Sequence, residues 1–474
     1  MFKNKLFIKF FSSGLQAIAV QVLGSVFFYF ISVYLSKESF GTISWMNAVS
    51  FFLLTILGFG LEQVVVRRIA ASKTSDWAAA AFFIHTIVGF IITFLLLVVL
   101  SNIFKNQSAI YHYLPWFFAA QGLIYIGIPL KQFLNAKELF TPYGIISVVS
   151  NTGKIIAVCC LQQLEQLDTA TVVVVLICSA VFELCCLLVY LVAKTNFSFK
   201  LHFKAYLKLI KESSAQYLSV IFDMSLSRMD WILLGIMTTN VVLADYSFAY
   251  RAYELARLPM LIIAPILLPR LSRLLASGKK LGNIQQFYIN SFSTVEQFFA
   301  VLIPLMLNIL WVPLISMITK GKYGDSNAVQ FLILSLCIPL QFFINLLWTL
   351  SFGGKKYKQV TSITIICAAT NIVLNLLLIH QFKGLGAAAA FFITTVLQGG
   401  LYYRLVNKQV MNIALKPIVI FMLSAIVIYV SATNIPVNFL LQLLIAVALY
   451  VGFAFASKQM TRQHLLNFKH FLSR

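Results

Sequence analysis

Charge is what this sequence has least of. Only 11% of its 474 residues are charged, against about 25% in an ordinary soluble domain. With 60% hydrophobic residues and a mean hydropathy of +0.90, the chain falls among membrane proteins, and length no longer counts domains. Metal-ligand and disulfide patterns are missing as well. The seven cysteines (159, 160, 178, 185, 186, 337 and 367) lie inside apolar runs without ligand spacing and read as packing residues. No GxxxxGKS phosphate loop occurs, which argues against ATP hydrolysis by this chain. No soluble domain interrupts the apolar runs. Lys3, Lys5 and Lys9 resemble the start of a signal peptide, but the run after them is too long and lacks a small-residue cleavage site, so it reads as a first membrane span.

What is there is a series of apolar stretches of about 20 residues, the length that crosses a bilayer. They fall near 13–35, 43–66, 77–100, 113–130, 142–161, 170–193, 214–237, 246–269, 290–316, 327–351, 359–380, 385–403, 417–432 and 437–456, fourteen spans in all. The net charge of +22 is spread in small groups with no continuous basic face, which argues against nucleic acid. Those groups alternate in density: 27 Lys and Arg lie on the side of the termini and five on the other. The positive-inside rule then puts both termini in the cytoplasm and residues 162–169 outside.

Residues 197–212 carry Phe199, Phe203, Tyr206, Leu207 and Ile210 on one side and Lys200, Lys204, Lys208 and Lys211 on the other. This pattern predicts an amphipathic helix on the cytoplasmic leaflet. It divides the chain into a first lobe (1–196, spans one to six), the connector (197–213), a second lobe (214–412, spans seven to twelve) and a tail with spans thirteen and fourteen (413–474). The lobes echo one another. Phe40-Gly41 opens a span that ends at Arg67-Arg68, and Leu243-Ala244 opens one that ends at Arg270. Asn151 and Asn371 likewise open the fifth span of each lobe. Such repeats are related by an axis along the membrane normal, with a cavity between them.

Charge enters the spans in one stretch above all. Segment 214–237 holds Asp223, Arg228 and Asp230, and segment 246–269 holds Arg251, Glu254 and Arg257. Lys154 and Glu183 are further charges inside spans, while Glu62 and Glu296 fall near cytoplasmic ends, where solvation is expected. An ionised side chain at a span centre costs about 2.5–3.5 kcal/mol, so these groups line water or pair with one another.

The runs LSKESFGTISWMNAVSFFLLTILGFGLEQVVVRRIA (35–70), SLSRMDWILLG (225–235), DYSFAYRAYELARLPMLIIAPILLPRLSRL (245–274) and NIVLNLLLIHQFKGLGAAAAFFITTVLQ (371–398) resemble the bacterial polysaccharide flippases of the MOP superfamily. Their relatives are the multidrug MATE exporters and the lipid II flippase. The resemblance covers about residues 5–457 and rests on the order and spacing of loose motifs. It implies an all-α membrane protein with two six-helix lobes in a V around a cationic cavity. It implies movement of undecaprenyl-pyrophosphate-linked oligosaccharide from the cytoplasmic to the periplasmic leaflet of the bacterial inner membrane, by alternating access. No cofactor is expected. Partners would be that substrate, membrane lipids, and the polysaccharide polymerase and chain-length proteins.

A flippase needs cations for the pyrophosphate. Arg228, Arg251 and Arg257 are the candidates, since the guanidinium fork suits phosphate, with Lys154 as a point charge. The competing reading pairs these cations with Asp223, Asp230 and Glu254 to hold spans seven and eight together, and Arg251 and Glu254 have the helical i, i+3 spacing for it. Glu183, alone on span six, is the proton-carrier candidate, and ion coupling or pairing is the expectation for Asp223, Asp230 and Glu254. Because these carboxylates nearly balance the cations, the sequence does not establish a strongly cationic cavity. Asn151, Asn371 and Asn375 read as helix glue before sugar ligands. Pro259, Pro265 and Pro269 are expected to kink or break span eight, and His85 is expected to be structural. The rival functions are a MATE-like exporter, which favours an acidic cavity, a membrane-embedded polymerase or glycosyltransferase, which needs acid/base groups in a sizeable outer loop, and a non-transporting scaffold.

Overall fold

A computed structural model describes residues 2–71, 76–103, 109–195, 197, 203–275 and 282–473, and among these no strand occurs. The chain divides into two compact units, Met1–Ala244 and Asp245–Arg474. The first contains α1 (Phe2–Tyr34), α2 (Lys37–Gly58), α3 (Leu61–Ala71), α4 (Trp77–Ile103), α5 (Ala109–Ala136), α6 (Phe140–Gln163), α7 (Thr169–Lys194) and α8 (Phe203–Met237); α9 (Asn240–Ala256) begins in it. The second continues with α10 (Leu258–Leu275), α11 (Asn283–Leu310), a π turn (Trp311–Ile315), α12 (Ser316–Ile318), α13 (Ala328–Gly353), α14 (Tyr357–Gln409), α15 (Lys416–Thr433), α16 (Phe439–Ala456) and α17 (Arg462–Ser473).

Ten of these helices are long and apolar enough to cross a membrane by length and composition. One of them, α14, contains spans eleven and twelve, which part at Lys383 where the backbone leaves the helical region (φ 51°, ψ −126°). Spans seven and eight fall outside the ten because the part of α8 that forms span seven carries three charges, Asp223, Arg228 and Asp230, and span eight is broken into α9 and α10. Rows of bare apolar side chains, such as Ile92, Leu95, Leu96 and Val99 on α4 and Val189 and Val192 on α7, cover the outside. In water such rows would drive association; in hydrocarbon they are at home. The protein is therefore a multi-pass membrane protein.

Local chemistry starts and stops these helices. The Ser36 hydroxyl accepts the Ser39 N–H at 3.1 Å to begin α2, and Asp168 and Thr171 cap α7 reciprocally at 2.7 and 2.9 Å. Span two breaks at Phe59-Gly60, both left-handed (φ 47° and 66°). Phe59 is held there by stacking on Tyr217 of α8 at 4.2 Å. Gly60 is required twice over, by its φ and because a Cβ would come within 3.0 Å of the Tyr217 backbone nitrogen. The break leaves the Leu57 carbonyl without its helical donor, and His85 Nε2 takes it at 2.7 Å while Nδ1 meets the Tyr206 hydroxyl at 2.7 Å. Both ring nitrogens are committed, which is a structural role.

In each unit a buried apolar cluster holds the bundle. Leu61, Val65, Phe82, Leu130, Leu187 and Leu209 are completely buried in the first. In the second, Val295, Phe421, Ala446 and Tyr450 pack around α11, and the Tyr450 hydroxyl donates to the Phe298 carbonyl at 3.1 Å.

Two expectations about organisation change. The amphipathic stretch is not a separate surface helix: its described part is the beginning of α8, one helix from Phe203 to Met237, and residues 198–202 lie outside the described residues. Its faces divide, with Phe203 and Leu207 exposed while Tyr206, Leu209 and Ile210 pack into the first unit's core. Arg68 Nη2 of α3 donates to both carboxylate oxygens of Glu212, at 2.5 and 2.7 Å. The division between compact units consequently falls at Ala244/Asp245 and not at 213/214, because α8 packs on α2 and α3.

Candidate functional site

In the first unit the intramembrane charges lie on α5, α6, α7 and α8. The fourth apolar run ends at 130, but α5 continues to Ala136 and carries Lys131 inside the bundle. Its ammonium pairs with Glu183 of α7 at 2.5 Å, and the Ser147 hydroxyl of α6 donates to the same carboxylate oxygen at 2.9 Å. Glu183 is therefore buried and paired, not isolated as its lone place on span six suggested. Asn151 donates to the Ser147 carbonyl at 2.7 Å, and the Ser150 and Ser179 hydroxyls join α6 to α7 at 2.8 Å. Lys154 lies one helix turn beyond Ser150, with its ammonium 5.7 Å from the centre of the Phe27 ring. It lines a mostly apolar cavity of about 680 Å³ between α6 and α7. Glu62 is half-buried, with Gln132 at 3.5 Å, where full solvation was expected.

On α8, Asp223 and Asp230 differ more than their spacing suggested: Asp223 is exposed, whereas Asp230 is 1% exposed and accepts the Trp231 N–H at 2.8 Å. Arg228 is half-buried. Its guanidinium lies over the Trp231 indole at 5.0 Å, and Nη1 donates to the Ser227 carbonyl at 3.2 Å.

In the second unit the charges surround a broken helix. Pro259 has no N–H to give to the helix and crowds Leu258, and the chain interrupts the helix at Arg257, between α9 and α10. Arg251 and Glu254 pair at 2.6 Å, which fulfils the i, i+3 expectation. Arg257 Nη1 donates to the Tyr253 hydroxyl at 2.9 Å with the guanidinium 5.1 Å from the ring centre, and its Nε is buried without a partner among the described residues. Tyr253, which sequence reading missed, is wedged against Tyr250 and Phe391. Asn371 reaches Thr394 on the other arm of α14 at 3.4 Å, and Asn375 donates back to Asn371 on its own arm at 2.9 Å, so both are buried in polar contacts. Glu296, expected to be solvated, is instead 5% exposed on α11.

Each unit thus has an ion pair with a further cation close by in sequence or across the bundle, Lys131–Glu183 with Lys154 and Arg251–Glu254 with Arg257, and the first unit carries Arg228 on α8 besides. Each also has a broken span, α2/α3 and α9/α10, at corresponding places in the repeat. Interrupted spans in matching positions are the usual mark of a transporter's binding elements.

The sequence profile of the polysaccharide biosynthesis protein family matches residues 6–275. The chain belongs to that family. No curated protein sequence matches. Among solved structures, the lipid II flippase MurJ in an inward closed conformation superposes with a TM-score of 0.71 at 18% identity, over 93% of this chain and 98% of that one. An inward-facing multidrug MATE transporter of the MOP superfamily gives 0.67 at 14% identity, over 82% and 95%. A MOP superfamily transporter from Pyrococcus furiosus, described as having a binding pocket of reverse polarity, gives 0.60 at 13% identity, over 85% and 95%. This polysaccharide biosynthesis family member therefore has the MurJ/MATE fold, as the residues had implied.

Proposed function

We propose that this protein is a flippase that carries undecaprenyl-pyrophosphate-linked oligosaccharide from the cytoplasmic to the periplasmic leaflet for surface polysaccharide assembly. The observation that carries the reading is the surplus cation in each unit. Lys131 is bound to Glu183 and Arg251 to Glu254, and Lys154 and Arg228 in the first unit and Arg257 in the second are the cations beyond those two ion pairs. A pyrophosphate carries its charge on several oxygens and needs cations already placed at bilayer depth, since moving a new charge there is costly. Arg257 and Arg228 offer guanidinium forks, each seated on an aromatic ring, and Lys154 a point charge. Arg251 holds Glu254 and orients the turn that presents Arg257. Family membership and the flippase-like fold support the substrate class.

The protein acts as a transporter and not a catalyst, in the inner membrane with both termini cytoplasmic, beside the polymerase and chain-length proteins that receive its cargo. The test is a deletion strain. Lipid-linked oligosaccharide should accumulate on the cytoplasmic leaflet, one surface polysaccharide should disappear, and sensitivity to cationic drugs should stay unchanged. Intact polysaccharide with raised drug uptake would instead support a MATE-like exporter. Cysteine labelling from outside, in a background without the native cysteines, checks topology: Lys204→Cys should be protected and Glu165→Cys accessible.

A further inference from the structure

The second unit buries an acid for which substrate binding gives no use. Glu296 lies in α11, and both its carboxyl oxygens are buried without a hydrogen-bond partner among the described residues. The elements packed on α11 are α13, α15, α16, α17 and the π turn. Of these, α13, α16 and the π turn have no charged residue, and α15 has only Lys416 at its first position. Their other titratable groups are Cys337, Tyr429 and Tyr450, the last committed to the Phe298 carbonyl. α17 adds Arg462, His464, Lys469 and His470. An ionised carboxylate left dry and unpaired costs several kcal/mol, so in this conformation Glu296 is the neutral acid.

Phe292, one turn before Glu296 on the same face of α11, stacks on Phe468 of α17 with ring centres 5.4 Å apart, and Asn467 donates to Ser291 at 3.3 Å. α17 thereby covers the face of α11 just ahead of the acid. It is an amphipathic helix whose Leu465 and Leu466 remain exposed. We propose that Glu296 is a proton-binding site of the second unit, closed while α17 lies on α11 and reached by water when the two part. On opening, the O–H bond breaks, its electron pair stays on the carboxylate, and water leaves as hydronium. The ionised side chain cannot re-enter its dry site until it takes up a proton again, and proton binding is thereby tied to the conformational cycle. The link to flipping rests on the function proposed above; the protonation of Glu296 does not.

The experiment uses the full chain in proteoliposomes. Infrared spectra at neutral pH should contain a protonated-carboxyl stretching band that is absent from Glu296→Gln. In parallel, flipping of lipid-linked oligosaccharide is measured with and without an imposed pH gradient. The wild type should respond about 5-fold or more, the lower end of coupling between sites, and Glu296→Gln should not respond. Glu296→Met serves as a second neutral variant should the first fail to accumulate. A wild type without that band, or a neutral variant that keeps the gradient response, overturns the proton site. A wild type that has the band but flips nothing overturns the substrate reading instead.

Discussion

Lys131 and Glu183 stand 52 residues apart and join α5 to α7, whereas Arg251 and Glu254 stand three apart on the single helix α9. The charges are alike and the consequences differ. The first pair is mostly buried, shares Ser147 with α6 and ties three helices, so its loss strands a charge inside the bundle. The second pair bridges a single turn of one helix. Its value lies in shaping the turn before Arg257. The first unit therefore uses its ion pair as a bolt, and the second uses its pair to position a neighbouring cation.

The largest expected effect tests the bolt. Glu183→Ala should destabilise the protein by about 3–5 kcal/mol, the cost of an uncompensated buried charge. Removing both charges as Lys131→Met with Glu183→Leu should recover most of it. Membrane abundance and unfolding in detergent measure this, and equal loss in the double variant would break the contrast.

Next comes Arg257→Ala. It should leave abundance normal and reduce flipping by roughly 30-fold or more, from the loss of about 2–5 kcal/mol when a buried charged donor is removed. Arg257→Lys should retain part of the activity. Arg228→Ala should follow the same pattern, with at most about 2 kcal/mol traced to the Trp231 stack. Combining it with Asp223→Asn or Asp230→Asn should restore nothing. Recovery of flipping in either double variant would make Arg228 a structural partner.

Smaller still, Glu254→Ala should cost less stability than Glu183→Ala, because the Arg251 pair lies within one helix, while measurably weakening flipping through Arg257. A large stability loss would erase the difference between the units. The least effect is at α17. Burial pushes the His464 imidazole below its ordinary value. Folding therefore favours the neutral ring, and the docking it supports is present at neutral pH and lost as pH falls through about 6.5 and below. Hydrogen exchange of α17 should rise on acidification, and less so in His464→Gln.

The spans were legible because transfer energy is local: twenty apolar residues announce a crossing whatever their neighbours do. The breaks were half legible. Pro259 gave away the interruption at Arg257, but nothing short-range said that Phe59, a bulky residue, would turn left-handed; that depends on Tyr217 far along the chain. The same limit explains Lys131 and Glu296. A charge at the edge of an apolar window reads as solvated, and only the packed bundle shows that α5 carries Lys131 inward and that α11 buries Glu296. Glu183 looked solitary because its partner came from a different helix. Arg251–Glu254 was foreseen because its spacing alone decides it.

The unbroken length of α8 has a mechanical consequence. At 35 residues it measures about 52 Å, well beyond the ~30 Å of a hydrocarbon core, and it holds Arg228 toward one end and the Arg68–Glu212 clamp toward the other. Such a rod is a lever: a tilt of about 10° about one end sweeps the other through roughly 9 Å. A spin label at Lys204, paired with one on α3, would register motion at the depth of Arg228 from a position that never touches the cargo.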